Sequence, residues 1–200
     1  MNNNFLKPYG IGESCYNYPL YFKEQHQNMQ PGMEYLMRPL PIFDNINYKG
    51  SGKLKDKVAI ITGGDSGIGR AVAVYYAKEG AKLVLVYYNE HKDAKDTKAY
   101  IEKLGGEVLL LNGDLKNPEF SKYIVEQTLD YYGKIDVLVN NAGVQYFANR
   151  LMDISNGQFD YTMKSNIYSM FYLTKAVLPY MKSNASIINT TSITTFNGEG

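Results

Sequence analysis

The sequence predicts an α/β chain built on a parallel, doubly wound sheet. Three observations predict it: five short runs rich in Val, Ile and Leu, segments of helical pattern between them, and a glycine cluster where the first run ends. Buried runs joined by helices imply right-handed strand–helix–strand units. The first run, residues 57–61, reads as a strand covered on both faces. Thr62-Gly63-Gly64-Asp65-Ser66-Gly67-Ile68-Gly69-Arg70 follows, and residues 71–80 read as a helix closed by Gly80. The glycines therefore lie where a strand turns into a helix. Free backbone N–H groups and the positive end of the helix dipole face an anion there, and glycine lets the chain approach it closely. A dinucleotide pyrophosphate is the expected guest. The spacing is Gly63-x-x-x-Gly67-x-Gly69, not the common G-x-G-x-x-G.

The remaining elements follow in order. Residues 83–88 are a second strand, and 94–104 a helix stopped by Gly105-Gly106. Residues 107–111 form a third strand, and 118–132 a helix with Pro118 in its first turn and Gly133 after it. Residues 135–139 are a fourth strand. A long helix is expected over 159–181, ended or bent by Pro179, and a fifth strand over 186–190.

Residues 1–52 read as an irregular arm, and 53–200 as an incomplete dinucleotide-binding domain. The arm holds five of the seven prolines and many aromatics, among them Phe5, Tyr9, Tyr35, Phe43 and Tyr48. So much apolar surface suits docking on the domain or on a neighbouring subunit. Residues 49–53 (Lys-Gly-Ser-Gly-Lys) read as the hinge.

Composition bounds the function. With 44% hydrophobic residues a sizeable core is expected. A net charge of +1 gives no reason to expect nucleic acid or an anionic membrane as partner. One cysteine, Cys15, fits a reducing cytoplasm. His26 and His91 lack companions at ligand spacing, so no metal site is expected. No apolar run reaches membrane-spanning length, and Met1-Asn2-Asn3-Asn4 starts no signal peptide.

Taken in order, the glycine loop, Asn140-Asn141-Ala142-Gly143 after the fourth strand, Asn166 in the long helix and Ser192 after the fifth strand resemble the short-chain dehydrogenase/reductase family. The resemblance covers residues 57–200. The arm, with Gln30-Pro31-Gly32 and Pro39-Leu40-Pro41, resembles a bacterial branch of general-stress oxidoreductases with an N-terminal extension. The family implies a Rossmann fold with strand order 3-2-1-4-5, NAD or NADP as cofactor, a small carbonyl or alcohol substrate, and a homotetramer. By resemblance the cofactor site takes in Thr62, Gly63, Asp65, Ser66, Gly67, Ile68, Gly69, Tyr88, Asn89, Asp114, Leu115, Asn141, Ala142 and Gly143. Asp114 would contact the adenine, and Asn141 would hold the fourth strand. Ser192 would bond the substrate oxygen, and Asn166 would keep a water in a proton relay. Each has a plainer reading as well: Asp114 as a turn cap, Asn141 as a partner for backbone groups, Asn166 as an ordinary helix residue, Ser192 as one hydroxyl among several.

The family's proton donor is a tyrosine with a lysine four residues on, expected about a dozen residues after the serine. The only Y-x-x-x-K here is Tyr88 to Lys92, after the second strand, which is the wrong place. The sequence therefore reads as the first part of a longer enzyme, with the 200-residue chain itself inactive. A non-catalytic nucleotide-binding remnant is the alternative; Asn140-Asn141-Ala142-Gly143 argues against a sugar-nucleotide epimerase. Tyr87-Tyr88-Asn89-Glu90 gives neither the acidic nor the basic residue that would choose between cofactors at the usual position, and the loop adds no cation, so NAD is favoured over NADP.

Overall fold

A computed structural model describes residues 24–192. Five strands, β1 (Val58–Thr62), β2 (Lys82–Tyr87), β3 (Glu107–Asn112), β4 (Ile135–Asn140) and β5 (Met181–Asn189), form one sheet. Its order is β3-β2-β1-β4-β5 and every pairing is parallel, as the family resemblance implied. The chain builds outward from β1 in one direction through β2 and β3, then reverses through β4 and β5. That reversal opens a crevice at the carboxyl ends of β1 and β4.

Alternation along the strands feeds two cores. On one face Ala59, Ile61, Leu83 and Leu85 meet Ala73 and Val74 of α1 (Gly67–Lys78) and Ile101 of α2 (His91–Lys103). On the other, Ile60, Val84, Val86 and Leu138 meet Ile124 and Val125 of α3 (Pro118–Tyr132), with Leu173 and Val177 of α5 (Ser169–Val177). Every residue of β1 is buried, which is why its sequence is continuously apolar rather than alternating. Each such side chain contributes about 1.5–3 kcal/mol.

The long helix departs from expectation. It begins earlier, as α4 (Asn156–Met163), with the Ser155 hydroxyl accepting from Gln158 N at its start. A π turn, Lys164–Tyr168, joins it to α5, which ends at Val177; Pro179 lies in a following 3-10 turn. Strand β5 starts at Met181, five residues before the expected boundary. Its pairing shifts register between Ile135 and Val137 of β4, so the β-branched run at 186–190 marks only its regular part.

The described part of the arm lies against α1 and α2, irregular apart from a 3-10 turn at Glu34–Leu36. Asp44 pairs with Lys78 and accepts from the Tyr100 hydroxyl at 2.7 Å. Phe43 meets Tyr100 edge-on and lies 3.6 Å beneath the Arg70 guanidinium. Glu79 accepts from the Tyr48 hydroxyl and from the backbones of Ser51 and Lys53 at 3.0 and 2.9 Å. The Tyr48 bond foremost, with these amides, holds its carboxyl down to about 2. Residues 49–53 are therefore pinned rather than hinge-like. A Cβ on Gly50 would fall 1.8 Å from the Lys78 carbonyl, a contact only glycine permits. The expectations for Phe5, Tyr9 and Cys15 lie outside the described residues.

Candidate functional site

The crevice at the sheet's switch point holds about 320 Å³. Its floor is the glycine loop: Gly63, Asp65, Ser66, Gly67 and Ile68 all line it. Gly63 and Gly67 have φ of 61° and 52°, which glycine alone adopts without strain. Gly69 does a different job. It lies outside the lining, and a Cβ there would fall 1.9 Å from the Gly63 carbonyl oxygen, so its bare backbone lets α1 pack under the loop. Ser66 opens α1 without a side-chain cap bond.

Thr62 also lies behind the lining. Its hydroxyl accepts from Asn141 N at 2.9 Å and Ala142 N at 3.0 Å, and donates to the Val139 carbonyl. The Asn141 amide returns bonds to the carbonyls of Thr62 and Gly63 at 3.2 and 3.3 Å. The loops after β1 and β4 are thereby bolted together, and Asn141, Ala142 and Gly143 line the crevice from the β4 side.

Carboxylates dominate the end nearest β2. Asp65 is 3% exposed and its Oδ2 has no hydrogen-bond partner. Burial foremost, then the charge of Glu90, raises its pKa to about 6. Glu90 is also buried and lines the crevice, whereas Asn89 does not; the Asn89 amide N–H donates to Glu90 Oε2 at 2.9 Å. Tyr88 lines the crevice and is exposed. From the β3 side come Asp114, Leu115 and Lys116. Asp114 caps a turn, its Oδ1 accepting from Lys116 N at 2.9 Å, while its Oδ2 lies 2.9 Å from the Lys116 ammonium. That ammonium sits 4.4 Å from the Tyr161 ring centroid and 5.3 Å from that of Tyr88. Burial alone would depress the Lys116 pKa; the Asp114 bond overrides it, and the net shift is upward.

An adjoining cavity of about 610 Å³ shares Asn141 to Val144 and Thr190 and is lined further by Thr162, Asn166, Thr191 and Ser192. Asn166, in the π turn, uses both ends of its amide on Val144, accepting from its N–H and donating to its carbonyl, each at 2.8 Å. The side chain therefore fixes the strand exit. A π turn at this point is a common mark of a functional helix segment. Tyr88 lies in the first cavity and not the second, and Lys92 turns outward to Asp96, so this pair stands apart from Ser192.

Sequence reasoning missed Lys116, Tyr161, Gln30 and Pro31. The last two are arm residues, Pro31 lining the first cavity and Gln30 the second. No sequence signal tied the arm to the crevice. Among the described residues, no group of three or more His, Cys, Asp or Glu is placed to hold a metal ion, and no helix is long and apolar enough to cross a membrane.

The crevice fits a dinucleotide on its own terms. Gly63 and Gly67 leave the loop's lining face free of side chains, Gly69 lets α1 pack beneath it, and a buried carboxylate oxygen without a hydrogen-bond partner, Asp65 Oδ2, lies at the end nearest β2. Comparison with known proteins agrees. A profile of the family described as short chain dehydrogenase matches residues 57–200. YhxC of Bacillus subtilis, described as an uncharacterized oxidoreductase, is 54% identical over 87% of this chain and 60% of its own length. General stress protein 39 of the same organism is 50% identical over 91% of this chain and 64% of its own. The chain thus spans about three-fifths of the length of these relatives. A short chain dehydrogenase from Burkholderia cenocepacia, solved in complex with NADP, superposes with a TM-score of 0.70 at 28% identity, over 74% of this chain and 60% of that one.

Proposed function

The chain belongs to the short-chain dehydrogenase family, and from that premise we propose that it binds a nicotinamide dinucleotide in the crevice and serves a carbonyl–alcohol oxidoreductase. The observation that carries this reading is the loop–helix cradle of Gly63, Gly67 and Gly69, bolted through Thr62 to Asn141 and Ala142. The loop's N–H groups and the α1 dipole hold the pyrophosphate. Asp65, Tyr88, Asp114 and Leu115 surround the adenosine. When bound, the nicotinamide supplies the hydride. The Ser192 hydroxyl donates to the substrate oxygen and fixes it, and Asn166 keeps Val144 and the strand exit in place for that contact.

The carboxylates support NAD over NADP. Asp65 and Glu90 line the adenosine end, where a 2′-phosphate would meet like charge and a ribose hydroxyl an acceptor. Lys116 is the one cation among the described lining residues, and Asp114 already neutralises it. Tyr88 and the Lys116–Tyr161 pair line the first cavity and Ser192 the second, and on this reading the 200-residue chain binds and orients without turning over. The substrate is a small carbonyl or alcohol. The single cysteine suits the cytoplasm, and the exposed Phe159, Ile167 and Phe171 along the long helix suit a homotetramer.

Titration of NADH and NADPH fluorescence against the 200-residue chain tests the cofactor; NADH should bind more tightly. NAD(P)H oxidation with a panel of aldehydes, ketones and sugars, by a chain extended with the family's remaining strands, tests the reaction. Ser192→Ala in that form should slow it by about 10²-fold. Binding without turnover in the extended form would favour the nucleotide-binding remnant.

A further inference from the structure

We propose that Glu34, a residue of the arm, is a positioning residue for the dinucleotide loop, so that arm docking and cofactor binding are coupled. This rests on the dinucleotide reading above. Glu34 is 4% exposed. Its Oε2 accepts from Gly67 N at 2.5 Å, and its Oε1 accepts from the Arg70 guanidinium at 2.7 Å. Its own backbone is held from α2, where the Asp93 carboxylate accepts from Glu34 N at 2.8 Å and Tyr35 N at 3.0 Å. Glu34 therefore joins the turn of the loop and the first turn of α1 through its carboxylate, and the start of α2 through its backbone N–H.

The direction of the effect follows from where the carboxylate sits. Gly67 and Ile68 line the crevice and Glu34 does not, so Glu34 reaches the Gly67 N–H from behind. It orients the loop rather than occupying the anion's place. Arg70 cancels its charge, so little repulsion reaches a pyrophosphate in front. Gly67 has φ of 52° and a Cβ built on it would meet no atom within 4 Å, so no side chain packs against the turn on that side; the Thr97 hydroxyl of α2, donating to the Asp65 carbonyl at 2.7 Å, braces the loop two residues earlier. Pro31, three residues earlier, lines the same crevice, so the arm touches the site from the front while bracing it from behind. A bound dinucleotide must then stabilise the docked arm by the factor the arm adds to its affinity.

The test uses the 200-residue chain and NADH fluorescence. Glu34→Ala should weaken NADH binding about tenfold, the loss of a charge-assisted bond at a loop turn. Glu34→Gln keeps an oxygen for the Gly67 N–H and should stay within about threefold. Tyr48→Phe removes an arm contact to Glu79 without touching the Glu34–Gly67 and Glu34–Arg70 bonds, and should leave affinity unchanged. Saturating NADH should slow proteolytic cleavage within residues 24–48 several-fold, a measurement that needs no variant. Failure of the wild-type chain to bind NADH or NADPH would overturn the dinucleotide reading itself. Wild-type binding with an unweakened Glu34→Ala would leave that reading standing and remove the brace. So would tighter binding by Glu34→Ala, equal weakening by Tyr48→Phe, or cleavage indifferent to NADH.

Discussion

The two halves of the sheet are built to different standards. Strands β1, β2 and β4 are buried on both faces almost throughout, and the loops after β1 and β4 and the start of α1 are cross-linked by Thr62, Asn141 and Glu34. Around β5 and the α4–α5 helix, large apolar side chains face solvent: Phe159 and Phe171 are each 61% exposed and Ile188 42%. On the proposed reading, local bracing pre-organises the first half for binding, and the second half, where Ser192 sits, contributes few buried groups of its own. Binding and chemistry should therefore respond to different substitutions.

The largest expected effect is on the braced half. Gly69→Val drives a side chain into the Gly63 carbonyl and should weaken NADH binding more than about 100-fold by fluorescence titration. Affinity within tenfold of wild type would show that the loop is softer than its contacts imply. In the extended form, Ser192→Ala should divide the halves the other way, cutting kcat while leaving the NADH dissociation constant within about twofold. A parallel loss of both would mean that the halves are not separable.

Asp65 sharpens the contrast through pH. Its folded pKa, about 6, lies above the ordinary carboxylate value, so the folded state favours its protonated form. The group costs nothing while protonated in both states, and the cost grows from about pH 4 to pH 6 and persists above. Asp65→Asn should accordingly raise stability by about 2 kcal/mol at pH 8 and leave it unchanged near pH 3.5, read from urea midpoints. It should also narrow any preference for NADH over NADPH. Glu79 runs in the opposite sense. Its folded pKa is depressed, so the anchoring of Tyr48, Ser51 and Lys53 is complete above about pH 4.5 and fades as pH falls toward 2. Pepsin should cut within residues 24–53 progressively faster across that window. The smallest effect belongs to the exposed Arg150–Asp153 pair, where Arg150→Ala should leave the urea midpoint unmoved.

The inner strands were legible because burial on both faces makes them apolar nearly throughout; residues 58–61 and 137–139 needed no context. The glycine loop was legible because backbone geometry restricts its residues. The start of β5 was not, because Met181 to Ala185 pair with β4 through a register shift and carry Lys, Ser and Asn. Glu34 was invisible for another reason: a single acidic residue in an irregular arm looks solvated until Gly67 and Arg70 are brought to it. Thr62 and Gly69 were found by pattern, yet the structure puts them behind the loop rather than on its surface.

The π turn at Lys164–Tyr168 bears on how this helix tolerates insertion and deletion. Gln158, Thr162, Asn166 and Met170 all line the second cavity, a strict step of four. In a regular α-helix each such step drifts by about 40°, so the stripe would have wandered roughly 120° by Met170. A wide turn absorbs about one residue of rotation, near 100°, and brings the stripe back into line. Beyond it, Ser169, Leu173 and Val177 are the buried positions. The segment thus behaves as a splice between two helical phases, one set by the cavity and one by the sheet. Because the wide turn holds about one extra residue, deleting one of its residues other than Asn166 would close it into continuous α-helix with both flanks in their present phases: Leu173 would stay in the core, and the Asn166–Val144 contact, made from within the turn, is the one that would be lost.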